Sequence, residues 1–197
     1  MAQERDSARK EDWANTLRGE RMFVGLCGAA GSGKTTIAKY LVEKHDFERI
    51  PFAKVLKDMS IAFGLTPAQV FGDEKDIPIT FDDCTFMPRE FMQWLGDEFG
   101  RQRLGKNIWV NIWKHHARPF KRVVADDVRY PNEVDATHSF GGKVILIDRG
   151  IKWAAGNHAS EHWHKLAWDR GIVNLGSIAD LHRSIEQVLW PAETAPL

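Results

Sequence analysis

The chain has 197 residues, 43% hydrophobic and 27% charged, an ordinary globular composition that argues against a disordered or membrane-embedded chain. Lysine plus arginine and aspartate plus glutamate stand at 27 each, so a protein built chiefly to hold nucleic acid is not expected. Two cysteines, Cys27 and Cys84, provide no disulfide framework.

The first twenty residues, MAQERDSARKEDWANTLRGE, are charged throughout and read as a polar N-terminal extension, not as a secretory signal. Nowhere do about 18 apolar residues run together to span a bilayer, so a cytoplasmic location without a membrane partner is expected. Apolar MFVGLC (22–27) reads as a buried strand, with Cys27 a small core residue. A glycine-rich turn follows, then a helix from about Gly33 to Lys44 with Ile37, Ala38, Leu41 and Val42 on one face. A short strand is predicted around FERIP. AKVLKDMSIAFG forms a helix stopped by Gly64, and PAQVFG a further helical turn. Residues 73–85, DEKDIPITFDDCT, carry two strand-like patches in loop chemistry.

PREFMQWLGDEFGRQR is helical, with proline near its start, and NIWVNIWKHHAR continues as a second helix after Gly105. RVVADDV (122–128) is a second buried strand, NEVDATHSF a short helix, and GGKVILIDRG (141–150) a strand bracketed by glycines. Residues 151–170 are polar and rich in histidine. IVNL (172–175) reads as a last strand before the amphipathic helix SIADLHRSIEQVLW, capped by Ser177 and stopped by Pro191. Apolar strands separated by helices imply an α/β three-layer sandwich on a mainly parallel five-stranded sheet. No stretch reads as a linker, so one domain over 21–191 and a short tail at 192–197 are expected.

Residues 28 to 36 read GAAGSGKTT, a complete match to the G-x-x-x-x-G-K-[ST] phosphate loop. Glycines let successive backbone N–H groups turn toward phosphates, and the following helix offers its positive N-terminus. Gly28, Ala30, Gly31, Ser32, Gly33, Lys34, Thr35 and Thr36 are therefore the candidate nucleotide-binding residues, with Lys34 on the outer phosphates and Thr35 on a magnesium ion. The strand before the loop and the helix after it are the setting this chemistry requires. An acidic residue at the end of a neighbouring buried strand is also needed for the metal, and RVVADD supplies Asp126 and Asp127. ATP and Mg2+ are the expected cofactors.

The acceptor decides which kind of phosphate-loop protein this is. A phosphate monoester is already largely ionised near neutral pH and needs no base; it needs arginines, which clamp it and neutralise charge as two anions approach. Arg89, Arg101, Arg129 and Arg149 lie at the ends of predicted elements. Phe63, Phe91 and Trp94 offer rings for a base, although aromatics on an apolar helical face are more often core.

FAKVLKD (52–58), PREFMQWLGDEFGR (88–101), DDVRYPNE (126–133), HASE (158–161) and NLGS (174–177), taken with the phosphate loop, resemble the deoxynucleoside monophosphate kinases of bacteriophages. The resemblance spans residues 22 to 190. It implies that Lys34, Thr35 and Asp127 handle the donor triphosphate and magnesium, and that Arg89 and Gln93 lie on a helix covering the acceptor. It puts Arg129, Asn132 and Glu133 on the opposite wall, brings Lys57 and Arg101 toward the acceptor, and sets Asn174 and Gly176 near the donor base. His158, Ser160 and Glu161 would belong to a lid over about 150–170. Lys34, Arg89, Arg129 and Asp127 carry catalysis in this reading. A small-molecule acceptor, a deoxynucleoside monophosphate, is the expected partner, a homodimer is a further implication, and the location becomes host cytoplasm for a phage-encoded chain. Tyr130 stands where phenylalanine is common in the family, and Asp126 where a small residue is common, which leaves open which acid serves the metal.

HASEH (158–162) also matches the inverted zinc-peptidase motif, with His164 and His138 as further candidate ligands. Gly156 and Asn157 disfavour the helix that motif requires, and the lid reading is preferred. The expected reaction is phosphoryl transfer from ATP to a deoxynucleoside monophosphate. The alternatives are a kinase of another small phosphate and a nucleotide-binding switch.

Overall fold

The computed structural model describes residues 21–150 and 165–191, which fall into two compact units: residues 52–115, and the rest of the described chain. The N-terminal extension, the HASEH segment with most of the expected lid, and the tail lie outside the described residues.

The larger unit is built on a sheet of order β2-β5-β1-β6-β7. Its strands are β1 (Met22–Cys27), β2 (Glu48–Arg49), β5 (Arg122–Ala125), β6 (Lys143–Asp148) and β7 (Arg170–Val173), and every pairing is parallel. All six residues of β1 are buried, because it is the central strand and both its faces are covered. The face carrying Val24, Leu26, Ile145 and Ile147 packs on Ile37, Ala38 and Leu41 of helix α1 (Lys34–His45) and on the C-terminal helix Ile178–Leu189. Ile37, Leu41, Ile145 and Ile185 are completely buried, each contributing about 1.5–3 kcal/mol of hydrophobic stabilisation. Val42, expected on that face, is 41% exposed. The opposite face receives the helix Pro131–Ser139. There Phe140 lies against Phe23 with ring centroids 4.7 Å apart, and Gly25 leaves no room for a side chain beneath Val128. Helices on both faces of a five-stranded parallel sheet make this unit the three-layer α/β fold expected from the sequence.

The chain leaves β1 toward β2 on one side and, after β5, crosses β1 to reach β6 on the other. The reversal places a crevice at the carboxyl ends of β1 and β5, the position where open α/β sheets bind ligands. Strand β5 ends at Ala125, short of the expected 128, so Asp126 and Asp127 emerge at that edge. The C-terminal helix starts as predicted: Ser177 Oγ accepts from Asp180 N, and Asp180 Oδ2 accepts from Ser177 N.

In the smaller unit, α2 (Lys54–Phe63) is followed by α3 (Pro67–Phe71), whose entry is fixed by reciprocal bonds between Thr66 and Gln69. A short 3₁₀ turn (Glu74–Asp76) leads to a hairpin, β3 (Ile79–Phe81) with β4 (Cys84–Phe86), so the strand-like patches pair with each other. The predicted helix from Pro88 starts as α4 (Pro88–Gln93) and widens into a π-helix over Trp94–Leu104, which periodicity had not indicated. Gly100 lets the Trp109 ring pack closely on this helix: a Cβ there would lie 2.5 Å from the ring. Trp109, on α5 (Ile108–Ala117), donates to the Gly96 carbonyl at 2.7 Å. The expectation of core aromatics fails for Phe63 and Trp94, which are 57% and 46% exposed. Among the described residues no helix is long and apolar enough to cross a membrane.

Candidate active site

The phosphate loop follows β1 directly and hands the chain to α1. Two of its glycines are obligatory. Gly28 has φ +136° and a Cβ there would meet the Ile147 carbonyl at 2.3 Å; Gly33 has φ +110° and would meet Asn174 Nδ2 at 2.6 Å. Helix α1 begins at Lys34 with no side-chain cap on Gly33, so its first N–H groups and its positive dipole end face the loop. Ser32 Oγ is buried without a hydrogen-bond partner among the described residues. Unspent polar groups and an uncapped helix start in one loop are the donor set a phosphate requires.

Lys34 Nζ donates to the carbonyls of Gly28 and Ala29 at 2.8 and 2.6 Å, which folds its ammonium into the loop. Burial lowers its pKa from 10.5 to about 8, and the charge of Arg129 adds to the fall. Asp126, Cys27 and Asp127 pull the other way. Arg129 is thus close enough to act on Lys34 electrostatically. Its own backbone N–H donates to Glu133 Oε2 at 2.7 Å, as does that of Tyr130 at 3.1 Å. Glu133 is buried and fixes the turn that carries Arg129.

Beyond β5, Asp126 meets the start of α1 through Thr35, and the charge of Asp127 also acts on Lys34. The Oδ2 of Asp126 accepts from the Thr35 hydroxyl at 2.9 Å and from Arg49 NH2 at 2.8 Å, while its Oδ1 accepts from Arg49 Nε at 3.0 Å. Asp126 is 5% exposed, and a carboxylate so deep is tolerable only when paired and fully hydrogen-bonded. Arg49, at the end of β2, was not singled out from the sequence. The Thr35 hydroxyl spends its one proton on Asp126 and keeps its lone pairs for a cation. Magnesium takes hard oxygen donors, typically one or two carboxylates completed by substrate phosphates and water. The Thr35–Asp126 pair fits that ion, and the absence of any cluster of three metal-ligating side chains among the described residues is no obstacle to it. His138, the zinc candidate that is described, is paired with Asp169 at 2.8 Å.

The structure sets Asn174 under the loop. Its Nδ2 donates to the Ser32 carbonyl at 2.8 Å and its backbone N–H to the Asp148 carbonyl at 2.6 Å, and it is buried. At Gly176 a Cβ would lie 2.8 Å from the carboxylate of Asp180. Arg149, at the end of β6, donates to the Gly31 carbonyl at 3.3 Å and so adds a cation beside the loop.

Four of the remaining candidates, Lys57, Arg89, Gln93 and Arg101, belong to the smaller unit. Arg89 makes a two-pronged pair with Asp76, Nε to Oδ1 at 2.6 Å and NH2 to Oδ2 at 2.8 Å, both exposed. Arg101 pairs with Asp97 at 2.7 Å, Gln93 closes α4, and Lys57 stands over the Phe71 ring, 5.3 Å from its centroid. Asn132 is half-buried in the first turn of the helix after Tyr130. His158, Ser160 and Glu161 lie outside the described residues.

No protein-family model matches the chain. Over 184 residues it is 35% identical to a protein of Acanthamoeba polyphaga mimivirus named "Putative deoxynucleotide monophosphate kinase", an alignment covering 83% of this chain and 94% of that one. The chain belongs to the deoxynucleotide monophosphate kinase family. Its fold and phosphate loop are those of a P-loop kinase, a phosphotransferase. Among solved structures, a shikimate kinase from Acinetobacter baumannii in complex with shikimate superposes with a TM-score of 0.49 at 12% identity, over 92% of this chain and 99% of that one.

Proposed function

We propose that the protein transfers the terminal phosphoryl group of ATP to a deoxynucleoside monophosphate, giving the deoxynucleoside diphosphate, with magnesium as the metal. The observation that carries the acceptor is the 35% identity to the mimivirus protein of that name, extending over 94% of its length. On the donor side the loop N–H groups and Lys34 would hold the triphosphate, with Thr35, Asp126 and Asp127 toward the metal. Magnesium bound there would neutralise charge on the phosphate oxygens. Arg89, Gln93 and Lys57 are assigned to the acceptor, together with Arg129, whose turn Glu133 holds. Arg101 and Asn132 are assigned to the same side, and His158, Ser160 and Glu161 to the lid that excludes water. No nucleophilic side chain is required, since an ionised acceptor phosphate attacks directly and catalysis reduces to positioning and charge neutralisation.

The test is coupled ADP release with each ribo- and deoxyribonucleoside monophosphate as acceptor, with and without excess EDTA. ADP formation that depends on a deoxynucleoside monophosphate and on the divalent ion is expected. Slow hydrolysis unaltered by any monophosphate would mark a nucleotide-binding switch instead.

A further inference from the structure

We propose that Arg49 is a positioning residue for the magnesium side of the site, acting through Asp126 on the Thr35 hydroxyl. The inference rests on the magnesium-dependent donor site proposed above and is independent of the acceptor. Arg49 closes β2, the edge strand, where its Cα is in register with Val124 of β5. From there its side chain reaches two residues further along β5's exit and grips both oxygens of Asp126. The fork is planar and its donors are fixed relative to one another, so two parallel bonds set the plane of the carboxylate as well as its position.

That plane matters because of what Asp126 does with its other lone pairs. A carboxylate offers about four acceptor sites, and three are spent: two on Arg49 and one, on Oδ2, on Thr35. The bond from Thr35 points its only proton inward and so aims the hydroxyl lone pairs outward, where a cation would be met. Rotate the carboxylate and the Thr35 hydroxyl turns with it. Arg49 itself is 39% exposed at the side chain against 3% for its partner, so the pair spans from solvent to the buried end of β5. Partners that orient a metal's ligands commonly govern affinity 10- to 100-fold without touching the ion.

Arg49→Lys keeps the positive charge over Asp126 but cannot make the two-pronged contact. The experiment is calorimetric titration of a non-hydrolysable ATP analogue at a series of Mg2+ concentrations, with no acceptor present. For Arg49→Lys the Mg2+ concentration giving half of the affinity gain should rise about 10- to 100-fold. Analogue affinity in EDTA and the unfolding temperature without ligand should change little. In a cycle with Asp126→Asn, the double variant should match Asp126→Asn alone, because Arg49 acts only through that carboxylate. If Arg49→Lys does not fold alone, the double variant still tests the route, since one weaker than Asp126→Asn overturns it. An unchanged Mg2+ midpoint in Arg49→Lys, a double variant weaker than Asp126→Asn, or an effect confined to the acceptor KM in turnover each overturns the role given to Arg49. A wild-type protein whose nucleotide affinity ignores Mg2+ overturns the magnesium reading and this inference with it.

Discussion

Asn174 Nδ2 donates to the Ser32 carbonyl at 2.8 Å, tying the exit of β7 to the phosphate loop across 142 residues of chain. The same amide nitrogen would lie 2.6 Å from a Cβ at position 33. Asn174 therefore holds the underside of the loop, and Asn174→Ala should strand a buried carbonyl. A loss of about 1–3 kcal/mol in stability is expected, read by urea unfolding. Nucleotide affinity should fall as well, because the loop N–H groups are no longer preset. If Asn174→Ala lowers affinity for one nucleotide base and leaves stability intact, the residue contacts the base instead.

Lys34, with a pKa near 8, links phosphate binding to pH. The sign follows from charge: phosphate oxygens favour the ammonium, so binding raises the pKa back toward its ordinary value and draws in a proton wherever the free lysine is partly neutral. ATP binding at pH 8 to 9 should therefore take up a proton, and affinity should decline as pH rises through about 8. Titrations in buffers of different ionisation enthalpy measure the uptake. Lys34→Met should abolish it and lower kcat about 10²- to 10³-fold with every acceptor, as for other donors aimed at developing charge.

Arg89 meets Asp76 on the surface, where water screens such a pair and it adds little to stability, so Arg89→Ala should leave the fold nearly unchanged. If it holds the acceptor phosphate, one charge-assisted contact of about 1.5–3 kcal/mol is lost, and acceptor kcat/KM should drop about ten- to a hundred-fold. ATP binding without acceptor should stay as it was. Normal acceptor kinetics in a folded Arg89→Ala protein would remove the residue from the reaction.

Glu133 separates two kinds of importance. Its carboxylate is buried and accepts from the N–H groups of Arg129 and Tyr130. Glu133→Ala should cost about 1–3 kcal/mol in thermal stability and weaken whatever Arg129 binds. A variant of full stability with a raised acceptor KM would show the carboxylate reaching the substrate itself.

The sequence disclosed what is local. GAAGSGKTT encodes its own turn, and the strand and helix around it follow from apolar period, so loop and sheet were legible together. Ser177 announced its helix for the same reason. Arg49 was not legible, because its partner lies 77 residues away and nothing in FERIP distinguishes it from a solvated edge arginine. The roles of Gly96 and Gly100 were hidden because the close packing they allow shows only against Leu56 and Trp109. Val42, Phe63 and Trp94 share the lesson: a periodic apolar residue is core only if another element covers it.

The two cysteines differ in a way that serves chemistry at the bench. Burial pushes the Cys27 thiol up to about 12, so it stays protonated and inert to reagents that attack thiolates. Cys84 is exposed on β4 of the smaller unit. A maleimide dye added to the native protein should therefore enter at one position, giving a singly labelled molecule without any engineered residue. Its emission would report on the smaller unit while nucleotide is added to the larger one.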